Sequence, residues 1–128
     1  MNDNVKLSVR KTHFYVIPNK NVVGCKLDYE LRGDQKFLST INNFIQTVKD
    51  PIAFNVTAEA HLDPLDHFDV ETGKKVARAK AESMAYDHIW GLMDRFMAHI
   101  AMCMDQSNNM IDRASDVISH NSKYLKQF

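Results

Sequence analysis

Apolar and polar residues alternate with a period of two along the first third of the chain. Val5, Leu7 and Val9 share one phase, and Phe14 and Val16 continue on the other. The slip predicts a β-bulge near Lys11 to His13. Pro18-Asn19-Lys20-Asn21 is a turn signal. Val23, Cys25, Leu27, Tyr29 and Leu31 then alternate strictly with polar partners. Residues 5–31 therefore read as a β-hairpin, closed by Gly33-Asp34.

The spacing changes at Phe37. Phe37, Ile41, Ile45 and Val48 recur at helical intervals, with Phe44 near the same face. They predict a helix over 36–49 with Asp34 as its cap; the β-branched content also allows a strand. Asp50-Pro51 breaks the pattern. Phe54, Val56, Ala58, Ala60 and Leu62 return to period two and predict a third strand.

After the turn at 63–69 a long helix is expected from Val70 to about Asp105, with Asp69 as N-cap and Glu71 at the positive end of the dipole. The polar run Asp105-Gln106-Ser107-Asn108-Asn109 predicts a break. A second helix then runs to about Gln127 on a stripe of Met110, Ile111, Ala114, Val117, Ile118, Tyr124 and Leu125. The expected fold class is α+β: a small antiparallel sheet, made of the hairpin and a third strand, packed on a C-terminal antiparallel helical hairpin. The chain reads as one domain, 1–128, with 5–62 mainly β and 70–127 the α-hairpin.

The long helix carries an excess of apolar residues. Between Met84 and Met104 the polar ones, Asp87, His88, Asp94, Arg95 and His99, fall in one stripe. An ordinary surface helix shows the reverse, an apolar stripe of roughly 100°. The excess predicts an oligomer, dimeric or higher, with Met84, Ile89, Trp90, Leu92, Met93, Phe96, Met97 and Ile100 at its interface. The run of methionines reads as adaptable packing surface.

Bulk composition narrows the function classes. The chain has 128 residues, and Lys+Arg equals Asp+Glu at 16 each. No global field drives it onto nucleic acid or an anionic membrane. No apolar run is long enough for a transmembrane span, and no secretory signal precedes the first strand. Cys25 and Cys103 read as reduced thiols of a cytoplasmic protein.

Two clusters carry candidate chemistry. His61, Asp63, Asp66 and His67 offer imidazole and carboxylate ligands suited to zinc, manganese or non-haem iron. The same residues also serve a strand-to-helix turn, where acidic side chains hold backbone and Pro64 fixes the bend. Lys74, Lys75 and Arg78 stand near a helix N-terminus, which attracts anions; Arg10 and Lys11 add charge from the hairpin. The alternative for them is a solvated basic face. No Ser-His-Asp or Cys-His arrangement can be placed, and no cofactor is expected.

The run Pro64-Leu65-Asp66-His67-Phe68-Asp69-Val70-Glu71-Thr72-Gly73, continuing to Ala77, Arg78 and Lys80-Ala81, resembles a family of small, mostly uncharacterised bacteriophage or prophage proteins. They share a strand, a proline-containing acidic turn with Phe-Asp, then a glycine and a helix rich in alanine and basic residues. The resemblance covers about a quarter of the chain, and Leu62 stands where that family commonly has cysteine. It implies a phage setting, the host cytoplasm as location, and action by binding: blocking a host defence protein or sequestering a nucleotide-like ligand. The leading expectation is thus a non-enzymatic, oligomeric accessory protein with an anti-defence role. The alternatives are a nucleic-acid-binding α+β module using the basic residues, and a metal-dependent enzyme using the His/Asp-rich turn.

Overall fold

The computed structural model describes residues 4–48, 53–62 and 69–128. The chain divides into two units, Met1–Leu92 and Met93–Phe128, with the boundary inside a helix.

The first unit holds strands β1 (Lys6–Ile17), β2 (Val22–Arg32) and β3 (Phe54–His61), helix α1 (Gln35–Val48) and the start of helix α2 (Val70–Leu125). The sheet runs β1-β2-β3, antiparallel throughout. Phe14 stands opposite Cys25, and Cys25 opposite Ala58, so one face of the sheet is apolar across all three strands. The register slips between Val9 and Lys11, placing the irregularity at Arg10, just before the expected position. The hairpin turn is a short 3-10 segment, Pro18–Lys20, ending on Asn21 at φ 52°. Asparagine tolerates that left-handed conformation better than most residues.

Gly33 takes φ 144°, and a Cβ there would meet the Val5 backbone at 2.8 Å. Glycine thus ends β2, and Asp34 starts α1 by accepting the Phe37 backbone N–H at 2.9 Å on Oδ1. Of the two readings for this segment the helix is the one observed, as α1 from Gln35 to Val48, and Ile41 and Ile45 are buried; residue 49 lies outside the described residues.

The core is the inner face of β2 set against a row of alanines. Cys25, Leu27 and Tyr29 cluster with Ala58 and Ala60 of β3 and with Ala77, Ala81 and Ala85 of α2. Leu7, Phe14, Phe54 and Val56 flank them. The alanines present no bulk, so the helix backbone lies close to the strands. Gly73 begins that approach: a Cβ on it would sit 2.6 Å from Val23 Cγ2.

One expectation fails. The C-terminal half is not a helical hairpin; α2 is a single helix of 56 residues from Val70 to Leu125. The polar run 105–109 contains no glycine or proline, and Asp, Ser and Asn each cost only roughly 0.5–0.7 kcal/mol relative to Ala inside a helix. Polarity alone does not break a helix whose backbone hydrogen bonds stay intact.

Candidate interaction surface

The basic residues are distributed over three places. Arg78 and Lys74 lean from α2 onto the inner face of β1: Arg78 Nη1 donates to Thr12 Oγ1 at 3.0 Å, and Lys74 Nζ lies 5.6 Å from the centre of the Phe14 ring. Lys74 also pairs with Glu71 at 3.6 Å. Lys75 is exposed. Arg10 sits 3.6 Å from Glu30, which Arg32 also contacts. Lys11 pairs in register with Asp28 on the opposite sheet face and lines a polar recess with Arg10, Asp28 and Asn55. The structure therefore joins Lys74 and Arg78 along one edge and leaves Arg10 and Lys11 elsewhere. Phe14 lies under Lys74, while Tyr15 covers Gly24, where an added Cβ would fall inside its ring. Burial and the Glu59 carboxylate, which accepts the Tyr15 hydroxyl, push the Tyr15 pKa up.

Of the metal candidates, His61 ends β3 and is exposed; Asp63, Asp66 and His67 lie outside the described residues. Among the described residues no group of three His, Cys, Asp or Glu is placed to hold an ion. Asp69 is the expected N-cap. Its Oδ1 accepts the Glu71 backbone N–H at 3.1 Å and its Oδ2 the Thr72 hydroxyl at 2.6 Å. The Thr72 hydroxyl is the main cause that holds its carboxyl below the usual range.

The free edge of β3 is guarded. Lys80 Nζ donates to the Glu59 carbonyl at 3.2 Å, placing a charge where another strand would pair. Among the described residues, Tyr29 Oη and His88 Nε2 are buried without a hydrogen-bond partner. His88 packs on Phe54, 4.5 Å between ring centres, and so leaves the polar stripe assigned to it from sequence. Burial raises the pKa of Tyr29 and of the Cys25 thiol.

The expected interface residues separate into three sets. Leu92 and Phe96 are buried, at 0% and 9% exposure, and belong to the protein's own interior rather than to a free surface. The expectation for these two is corrected: apolar excess does not distinguish a core face from a docking face. Ile89 and Met93 are half-buried. Met84, Trp90, Met97 and Ile100 are exposed.

Exposure of apolar side chains continues well past the expected interface. In the second unit every residue from Met97 to Phe128 is exposed except Ala114, which is half-buried. Met97, Met104, Ile111, Ile118 and Leu125 recur every seven residues along this segment, and all are exposed. Met93, Ile100, Ser107, Ala114 and Asn121 form a second seven-residue row, offset by three. Cys103, Met110, Val117 and Tyr124 form a third beside it. None of the three rows carries a charge from Met97 onward; Asp105, Asp112, Arg113, Asp116, Lys123 and Lys126 all lie on the other side of the helix. Sequence reasoning saw the apolar residues beyond Met104 but gave them to a separate second helix and did not join them to the stripe before it. The signal was the repeat itself, which an assumed break at 105–109 cut in two.

Among the described residues no helix is long and apolar enough to cross a membrane. No protein-family model, no curated protein and no solved structure matches this chain.

Proposed function

We propose that this chain is a non-enzymatic, oligomeric accessory protein of phage type that acts in the host cytoplasm by binding a host factor or a nucleotide-like ligand. The observation that supports this most is the apolar stripe of α2 in the second unit. A helix without tertiary contacts is marginal in water, and most helical stability in proteins comes from packing an apolar face. The segment from Met97 to Phe128 is helical to Leu125, yet its large apolar side chains are exposed. A contact from outside the chain supplies what the chain does not.

The α+β unit would then present the ligand-facing surface. An anionic ligand would meet Lys74, Lys75 and Arg78, whose charges lie along β1 and the first turns of α2. The anti-defence role rests on the resemblance of the turn and helix start to phage proteins.

Light scattering and native mass spectrometry on the protein purified from cells test the reading. The expected result is a mass of two or more chains, with bound extra mass if the ligand is a small molecule. Ile111→Lys with Ile118→Lys should reduce the species to one chain and lower the helical circular dichroism signal. Lys74→Glu with Arg78→Glu should remove a bound anion and leave the assembly intact. A single chain at about 100 µM, with no extra mass, would sink the proposal.

A further inference from the structure

We propose that the segment Met93–Leu125 pairs antiparallel with the same segment of a second copy of this chain. The inference rests on the oligomeric reading above and adds the partner's identity and orientation.

The occupant follows from the spacing. A strict seven-residue repeat has a period of 3.5, shorter than the 3.6 of a straight helix. It stays in contact only with a partner that supercoils with it, which means another helix of matching length and period. The repeat runs about 50 Å at 1.5 Å per residue. α2 itself supplies a helix with that period and that length.

The orientation follows from what each row meets. In a parallel pair, like rows form the layers. Ser107, Ala114 and Asn121 would each face their own kind, leaving thin layers between thick ones of Met104, Ile111 and Ile118. An antiparallel pair sets the two rows opposite each other, so that Ser107, Ala114 and Asn121 each face a large residue instead of their own kind, as close packing requires. With the twofold beside Asn109, Met104 faces Ala114 of the second copy and Ile111 faces its Ser107.

The flanks agree. A twofold perpendicular to the helices brings each flank against its own equivalent. The apolar flank of Cys103, Met110, Val117 and Tyr124 then meets itself. The opposite flank of Ala101, Asn108, Ser115 and Ser122, small and mostly polar, does likewise. A parallel pair would set apolar against polar along the whole length. Antiparallel packing also opposes the helix dipoles.

The test is a spin-label distance in the full chain, with mass measured on the same sample. Lys126→Cys lies just past the helix end and away from the stripe; Cys103→Ser removes the other exposed thiol. Antiparallel pairing predicts a dimer with labels about 50 Å apart, twice the axial distance from residue 109 to 126. A dimer with labels within roughly 25 Å, as helices packed in parallel about 10 Å apart would give, overturns the orientation and leaves the oligomeric reading standing. A monomer through about 100 µM overturns both.

Discussion

Strand β2 and the second unit's part of α2 each carry one apolar face, and they dispose of it in opposite ways. On β2, Val23, Cys25 and Leu27 reach 0% exposure beneath Ala77, Ala81 and Ala85. On α2 beyond Met97, side chains of similar size, Ile111 and Ile118 among them, stand 61% and 68% exposed. The period accounts for the difference. Alternation by two suits a surface filled locally by elements of the same chain. Repetition by seven is satisfied only by another supercoiling helix. The two regions therefore differ in pattern, alternation by two against repetition by seven, and in exposure.

The comparison breaks if equal deletions cost the same in both regions. Leu27→Ala should lower unfolding free energy by about 2–5 kcal/mol, the range for emptying a packed site. Ile118→Ala, measured in denaturant at concentrations where the chain is monomeric, should change it by less than about 0.5 kcal/mol, as exposed substitutions do. A similar loss at both positions would mean that the stripe is already covered.

Gly73→Ala sharpens the boundary from the helix side. Its Cβ would meet Val23 Cγ2 at 2.6 Å, and Val23 is itself fully buried. Overpacking of this kind costs about 1–3 kcal/mol and outweighs the helix propensity gain of up to about 1 kcal/mol. A thermal melt should show a lower midpoint; a rise would mean that the helix start is looser than described. Tyr29→Phe should do the reverse. Its hydroxyl is buried with no partner among the described residues, so removing it should leave stability unchanged or raise it by about 1 kcal/mol.

The smallest effect belongs to the cap. Asp69 has a folded pKa below its ordinary value, mainly through the Thr72 hydroxyl. Its contribution is therefore present above the unfolded pKa, about 3.9, and is lost as pH falls through the folded value. Asp69→Asn keeps a cap without the charge. The variant should lose less stability than the parent between pH 5 and pH 2, by melts at each pH; equal losses would place the acid sensitivity elsewhere.

Much of the first unit was legible in the chain. A half-buried strand writes its burial as alternation, so Val23 to Leu31 could be assigned to one face directly. Asp34 and Asp69 could be assigned as caps because a helix start needs an acceptor for its free N–H groups. The bulge was legible only approximately, since the phase slip lies between Val9 and Phe14 and the register change occupies Arg10. The helix break was misread because a polar run resembles a loop, while chain geometry responds to glycine, proline and hydrogen bonding. The candidate surface was half legible. Trp90 and Met97 are exposed, as a surface role requires, whereas Leu92 and Phe96, grouped with them, are buried. Lys74, Lys75 and Arg78 were grouped by nearness in sequence and Arg10 and Lys11 added as charge from the hairpin, neither of which says anything about register: Arg10 went to Glu30, and Arg78 crossed to Thr12.

The alanine row in α2 sets tolerances that a random mutant library would reveal. Ala77, Ala81 and Ala85 act as a spacing gauge: all three are fully buried in the sheet–helix core, where added bulk must displace neighbours. Aliphatic exchange should survive selection at Leu27 and Val23, where neighbours can repack around a similar volume. At the three alanines the permitted alphabet should shrink to glycine and serine, so the least bulky positions in the fold would be its most restricted.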